Sequence, residues 1–377
     1  MAATRASEQR NVLTDGSRLM IEAMARAGAD TFIGYPITPA NLLYLYGMRR
    51  FPVSIAAPDE ITTLQWMSGF AATGHVPVTA TSFPGFALMV ESVNMAYMME
   101  LPMVIVQAQR LGPSTGTATG GAMGDLLLLR GVISGGYPLL TLCPSSLEDC
   151  WELSALAVRT AVYLRTPVVL LTSKEMVMTH QDLNVNTLSA VGRVKRSLYS
   201  SEAPFEPYLP QENLVPEFLP VGDERHQVRI TASTHDSRGI IQGVSRAGLE
   251  NTLRLPKKLE KNVADFTRYE LDEEDGAENL IVSYDVAAMA AREAVACLRR
   301  QKTGASLLVV KTLFPTPAAY LDVVGRYGRV FVVEENAQGQ LAQILFGGDE
   351  RKGLHLINAI GRMITPEEIV EKVSSHG

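Results

Sequence analysis

Cysteine is scarce in this sequence: three in 377 residues, Cys143, Cys150 and Cys297, with no CxxC spacing among them. An odd, scattered set excludes a disulfide framework and leaves this chain unable to hold an iron–sulfur cluster or structural zinc alone. It fits a reducing cytoplasm. Basic residues are not in excess either, with 34 Lys and Arg against 40 Asp and Glu and a net charge of −6. Nucleic acid and anionic membrane surfaces need clustered positive charge, so neither is an expected partner. Long apolar runs are missing, each broken by Pro, Gly or charge well short of a bilayer-spanning length. Residues 1–11 lack the apolar stretch of a secretory signal. A soluble, cytoplasmic protein with protein or small-molecule partners is expected. Aromatics are only 7 % against 46 % hydrophobic residues, the balance of Ala/Val/Leu/Met-rich α/β enzymes.

What is present is alternation. Short apolar runs at 31–34, 53–56, 78–82, 103–107, 139–142 and 168–172 read as parallel strands, with helix-length segments at 60–73, 86–99 and 146–164 between them. The pattern predicts an α/β fold with a doubly wound parallel sheet over residues 1–181. Residues 182–276 have another texture, with Pro204, Pro207, Pro210, Pro216 and Pro220 and mixed charge, and read as a connector. Its basic stretch from Arg254 to Lys261 reads as a solvated helix face. Strands at 280–284, 307–311 and 330–334, with a helix at 287–301, predict a second, smaller α/β domain over residues 277–377. No repeat of solenoid length stands out.

In an open parallel sheet the ligand crevice lies beyond the carboxyl ends of the strands. Four loops there carry chemistry. In Gly34-Tyr35-Pro36-Ile37-Thr38-Pro39, Thr38 is either a polar donor between stiff prolines or a helix N-cap followed by Pro39 at the first helical position. Asp59-Glu60 opens a helix, where both acids suit the positive end of the dipole and Glu60 is equally placed for chemistry. Thr81-Ser82-Phe83-Pro84-Gly85-Phe86 turns tightly into a helix and leaves backbone N–H groups free. Arg110 follows an apolar strand and precedes a loop of small and hydroxylated residues ending at Gly124-Asp125. A guanidinium there is the natural two-bond partner of a carboxylate, and a structural ion pair is the rival reading.

Taken together, Tyr35-Pro36-Ile37-Thr38-Pro39, Asp59-Glu60-Ile61, Thr79-Ala80-Thr81-Ser82 with Pro84-Gly85-Phe86, and Arg110-Leu111-Gly112-Pro113-Ser114-Thr115-Gly116 resemble the alpha subunit of 2-oxoacid:ferredoxin oxidoreductases, most closely the 2-oxoglutarate type. Thr234-His235-Asp236-Ser237-Arg238-Gly239, Ser283-Tyr284, Leu313-Phe314-Pro315 and Val333-Glu334-Glu335-Asn336 extend the likeness over most of the chain. The resemblance implies a thiamin-diphosphate pyrimidine-binding domain and a transketolase C-terminal-like domain. It implies oxidative decarboxylation of a 2-oxoacid, with electrons passing through an iron–sulfur cluster to ferredoxin and the acyl group to coenzyme A.

By the same resemblance, Glu60 would hydrogen-bond the pyrimidine ring nitrogen and promote the imino form that activates the thiazolium carbon, a role suited to a buried carboxyl. Thr38 and Arg110 would bind the substrate's oxo-acid end, and Tyr35, Pro36, Ser82 and Gly85 would line the cofactor. This chain has no Gly-Asp-Gly motif and no cluster cysteines. The resemblance therefore implies a beta subunit that supplies the diphosphate and Mg2+ site and a [4Fe-4S] cluster, in a heterotetramer. No metal is expected on this chain. Two departures leave the acyl substrate open: Phe83 where relatives carry Gly, and the uncharged Gly120-Gly121-Ala122-Met123-Gly124. The alternatives are a non-redox thiamin enzyme subunit, decarboxylase or transketolase-like, and a non-catalytic assembly subunit.

Overall fold

The computed structural model of the protein describes residues 10–347 and 351–376, so residues 1–9 of the N-terminal reading lie outside the described residues. Its strands are β1 Asn11–Thr14, β2 Thr31–Gly34, β3 Val53–Ala56, β4 Pro77–Thr81, β5 Met103–Gln109, β6 Leu140–Leu142, β7 Pro167–Ser173, β8 Gln181–Asn184, β9 Tyr269–Asp272, β10 Asn279–Ser283, β11 Ala305–Val310, β12 Thr312–Phe314, β13 Arg329–Glu334 and β14 Leu354–Asn358. Seven of them form one sheet in the order β12-β6-β7-β5-β4-β2-β3, five form a second in the order β14-β13-β10-β11-β9, and β1 pairs with β8.

The apolar strands are central because they are covered on both faces. Every residue of β4, β5 and β7 is buried, and each buried Val, Leu or Ile contributes about 1.5–3 kcal/mol. The helix Gly16–Ala27 lies against Leu147–Leu164. The first is capped by Asp15, which accepts from the Arg18 N–H, and the second by Ser146, which accepts from Asp149. All neighbouring pairs from β6 to β3 are parallel. The first sheet's outermost strand, β12, comes from the far side of the connector and pairs antiparallel with β6. In the second sheet, β10, β11, β13 and β14 run parallel and β9 antiparallel at one edge.

Two readings need correction. The connector holds a 16-residue helix, Arg246–Lys261, with Pro256 inside it. The basic stretch on that helix is only half solvated, with Lys257 and Lys261 exposed and the other two basic residues turned inward. Arg254 and Lys258 are buried against Glu100, itself fully buried at a left-handed φ of 53°. Burial alone would raise the Glu100 pKa, but Lys258 and Arg254 beside it hold the carboxyl down at about 2. The inward positions of this helix include Asn251, Arg254 and Lys258 beside Leu255 and Leu259, so polar and charged side chains share its buried face with the apolar pair. Thr38 is not a helix N-cap. The helix after β2 starts at Asn41, beyond a cis Thr38–Pro39 bond.

Candidate active site

The crevice at the carboxyl ends of β2, β4 and β5 brings together three of the four loops read from the sequence, and Glu60 stands beside them. β2 runs into Tyr35 and Pro36, both exposed at the crevice mouth, and then to Thr38, half-buried. Arg110, one residue past β5, is only 6 % exposed. Its Nη1 donates to the Thr38 carbonyl at 2.6 Å, while its Nε is buried without a partner. No carboxylate lies within ion-pair distance of this guanidinium among the described residues. A buried cation held by one backbone carbonyl, with donors to spare, suits an incoming anion.

The adjacent acids separate sharply. Asp59 caps the helix Glu60–Ala72 by accepting from the Thr62 N–H at 2.7 Å, and that bond holds its carboxyl below the usual range. Glu60 turns inward, is 6 % exposed, and forms no hydrogen bond or ion pair among the described residues. Gly85, in the first turn of the helix Phe83–Met98, sits against it: a Cβ there would lie 2.6 Å from Glu60 Oε1 and would also collide with Thr81 Oγ1. Ser82 occupies the N-cap position but makes no capping bond, and its Oγ is buried and unpartnered. A free buried carboxyl, a glycine that permits close approach and an orphaned hydroxyl fit the edge of a nitrogen heterocycle.

Sequence reasoning passed over a polar chain beside Arg110. Gln107 and Gln109 share one face of β5 and are fully buried. Gln107 Nε2 donates to Asp125 Oδ2 at 3.0 Å, and Gln109 Oε1 accepts from the Asp125 N–H. Gln109 Nε2 donates to Asp285, which also accepts from Ser173 Oγ at 2.7 Å. Burial pushes Asp125 up to about 6 and Asp285 to about 7, against their hydrogen bonds. Two glutamines alternating at the end of an apolar strand were the available signal. The second sheet clamps the loop from above: Tyr284 Oη and Asn336 Nδ2 donate to the Met123 carbonyl, and Gln340 Nε2 donates to that of Gly124.

Two α/β sheets with an unpaired acid and an unpaired guanidinium beside the carboxyl ends of the first suit the binding of an anionic small molecule, and its relatives place the chain in the thiamin-diphosphate class. Residues 22–245 match the family described as pyruvate flavodoxin/ferredoxin oxidoreductase, thiamine diP-bdg. The 2-oxoglutarate synthase subunit KorA of Methanocaldococcus jannaschii is 30 % identical over 95 % of this chain and 98 % of its own length. The ketoisovalerate oxidoreductase subunit VorB of Methanothermobacter thermautotrophicus is 27 % identical over 96 % of each. The solved 2-oxoglutarate:ferredoxin oxidoreductase from Magnetococcus marinus, with 2-oxoglutarate, coenzyme A and succinyl-CoA bound, superposes with a TM-score of 0.90 at 26 % identity, over 98 % of this chain and 66 % of that one. The chain belongs to the 2-oxoacid:ferredoxin oxidoreductase family, in which it corresponds to the thiamin-diphosphate-binding alpha subunit. Among the described residues no helix is long and apolar enough to cross a membrane, and no cluster of side chains is arranged to hold a metal.

Proposed function

We propose that this chain grips the pyrimidine of thiamin diphosphate and the carboxylate end of a 2-oxoacid, in an enzyme that makes acyl-CoA, carbon dioxide and reduced ferredoxin. The unpaired, buried Arg110 carries the reading. It offers a two-bond grip to the substrate carboxylate while the Thr38 carbonyl fixes its plane, and the Thr38 side chain reaches the neighbouring oxo group. Glu60 holds and moves a proton at the pyrimidine nitrogen, Gly85 lets the ring edge approach, and Ser82, Tyr35 and Pro36 line its face. When bound, the cofactor supplies the electron sink for decarboxylation. A beta subunit contributes the Gly-Asp-Gly motif with Mg2+ and the [4Fe-4S] cluster, since this chain has neither motif nor cysteines for them. The free thiols of buried Cys143 and Cys150 support a cytoplasmic location.

From Leu111 to Gly124 the loop carries no charged side chain. It suits an apolar substrate tail, and a second carboxylate must find its cation elsewhere. The test is Arg110→Lys, assembled with the beta subunit and assayed for 2-oxoacid-dependent ferredoxin reduction. A point ammonium cannot reproduce the planar grip, so kcat/KM falls for every 2-oxoacid by about 1.5–3 kcal/mol, or roughly 10- to 100-fold. Unchanged kinetics would remove Arg110 from the site.

A further inference from the structure

Asp125 has the position of a helix cap, directly before Leu126–Gly131, yet its side chain makes no capping bond. It turns back onto β5, where Gln107 donates to Oδ2 and Gln109 accepts from its N–H. It is 7 % exposed, and its other oxygen makes no hydrogen bond among the described residues. The next stretch of chain is pinned on the far side by the Gln340 bonds to Gly124 and Leu127. A carboxylate is thus fixed in the wall beside Arg110, outside ion-pair distance but within reach of its field.

We propose that Asp125 is a positioning residue for substrate: its charge balances Arg110 while the crevice is empty and opposes the 2-oxoacid carboxylate once Arg110 has engaged it. This rests on the reading of Arg110 as the carboxylate grip. Repulsion weakens ground-state binding and is relieved when the carboxylate is lost as neutral carbon dioxide, its electron pair staying behind on the remaining fragment away from Asp125, so it costs KM and favours turnover. Protonating Asp125 removes the repulsion. Its ionisation falls near pH 6 because burial raises it, while Gln107 and Arg110 draw it partly back. The other titratable groups around this wall are Tyr284, Glu334 and Glu335 from the second sheet, Asp285 through Gln109, and Glu175 against Gly121. Arg110 is the cation whose field acts on Asp125.

The test compares wild type, Asp125→Asn and Arg110→Lys as assembled enzyme, with KM and kcat measured from pH 5.5 to 8. The amide keeps an acceptor for Gln107 and removes only the charge. At pH 8 the KM of Asp125→Asn is expected about 3- to 10-fold below wild type, as for one charge removed several ångströms away. Its kcat should also be lower, and both differences should fade toward pH 5.5. A purely structural lesion would raise KM at every pH. Wild-type enzyme gives a check that needs no variant: binding of oxamate, an unreactive 2-oxoacid analogue, should take up a proton near pH 6.5. A KM for Asp125→Asn that is unchanged or raised at pH 8, or no proton uptake by wild type, overturns the proposal. If Arg110→Lys still loses kcat/KM in that event, the grip survives without Asp125; if it does not, the site reading itself fails.

Discussion

Asp59 and Glu60 are neighbours in the chain with opposite surroundings. One is a half-buried cap bonded to a backbone N–H; the other is buried, unbonded and pressed against a glycine. The residues alone left Glu60 evenly balanced between a second first-turn anion and chemistry, and only the family resemblance favoured the latter, because both acids suit a helix N-terminus and the direction of the side chain separates them. Arg110 was legible from its place after an apolar strand. Asp125 was not, since a Gly-Asp pair before a leucine run reads as an ordinary cap. For Glu60→Gln the expected outcome is a thermal midpoint close to wild type, because a first-turn charge contributes at most about 1 kcal/mol. Proton exchange at the thiazolium carbon should slow by orders of magnitude, because an amide of the same shape cannot relay a proton. Normal exchange in a folded, cofactor-loaded variant would return Glu60 to a packing role.

At the level of elements, the sequence pattern marks the longer buried apolar strands and passes over short strands, edges and buried ionic contacts. Strands β2 and β3 match their expected spans, and the expected β5 and β7 extend by a residue or two at their ends. β1, β8, β9, β12 and β14 were not foreseen: β12 has only three residues, β1 and β8 pair only with each other, and β9 and β14 are partly exposed edge strands. The helix Arg246–Lys261 was read only over its last two turns, and as solvated, whereas its buried face carries Asn251, Arg254 and Lys258 beside Leu255 and Leu259. That face anchors the connector to the first sheet through Glu100, with Lys258 Nζ also donating to the Arg165 carbonyl. Glu100→Gln leaves two buried cations without a counterion, and unfolding by denaturant should show about 3–5 kcal/mol lost. A loss within about 0.5 kcal/mol would mean that water or another acid takes over the pairing.

For the whole molecule, the second sheet lies over the β5–β7 side of the crevice, where Asp285 accepts from Gln109 and Ser173. Acids are buried at that junction. Burial lifts Asp285 and Glu335 to about 7, and the nearby Glu175 raises Glu335 further. A raised carboxyl stabilises the fold in its protonated form, so this contribution is present at acidic pH and lost as pH rises through about 7. The depressed acids Glu100, Glu270 and Asp236 act in the opposite sense and matter only below the ordinary carboxylate range. The thermal midpoint should therefore climb by a few degrees from pH 8 to pH 5.5, at up to about 1.4 kcal/mol per pH unit for each proton taken up. Asp285→Asn should flatten that slope. An equal slope in the variant would locate the effect elsewhere.

The pairing of β12 with β6 also ties the two ends of synthesis together. Strand β6, fully buried in the finished protein, borders the first sheet and receives its neighbour only when Thr312–Phe314 has been made. At about 5–20 residues per second that is a wait of several seconds or more, during which the nascent sheet presents an open row of backbone donors and acceptors. The late segment thus works as a latch on a structure already formed. A polypeptide released before it emerges would keep a pyrimidine-type sheet with an adhesive edge, a natural target for chaperone capture or for self-association.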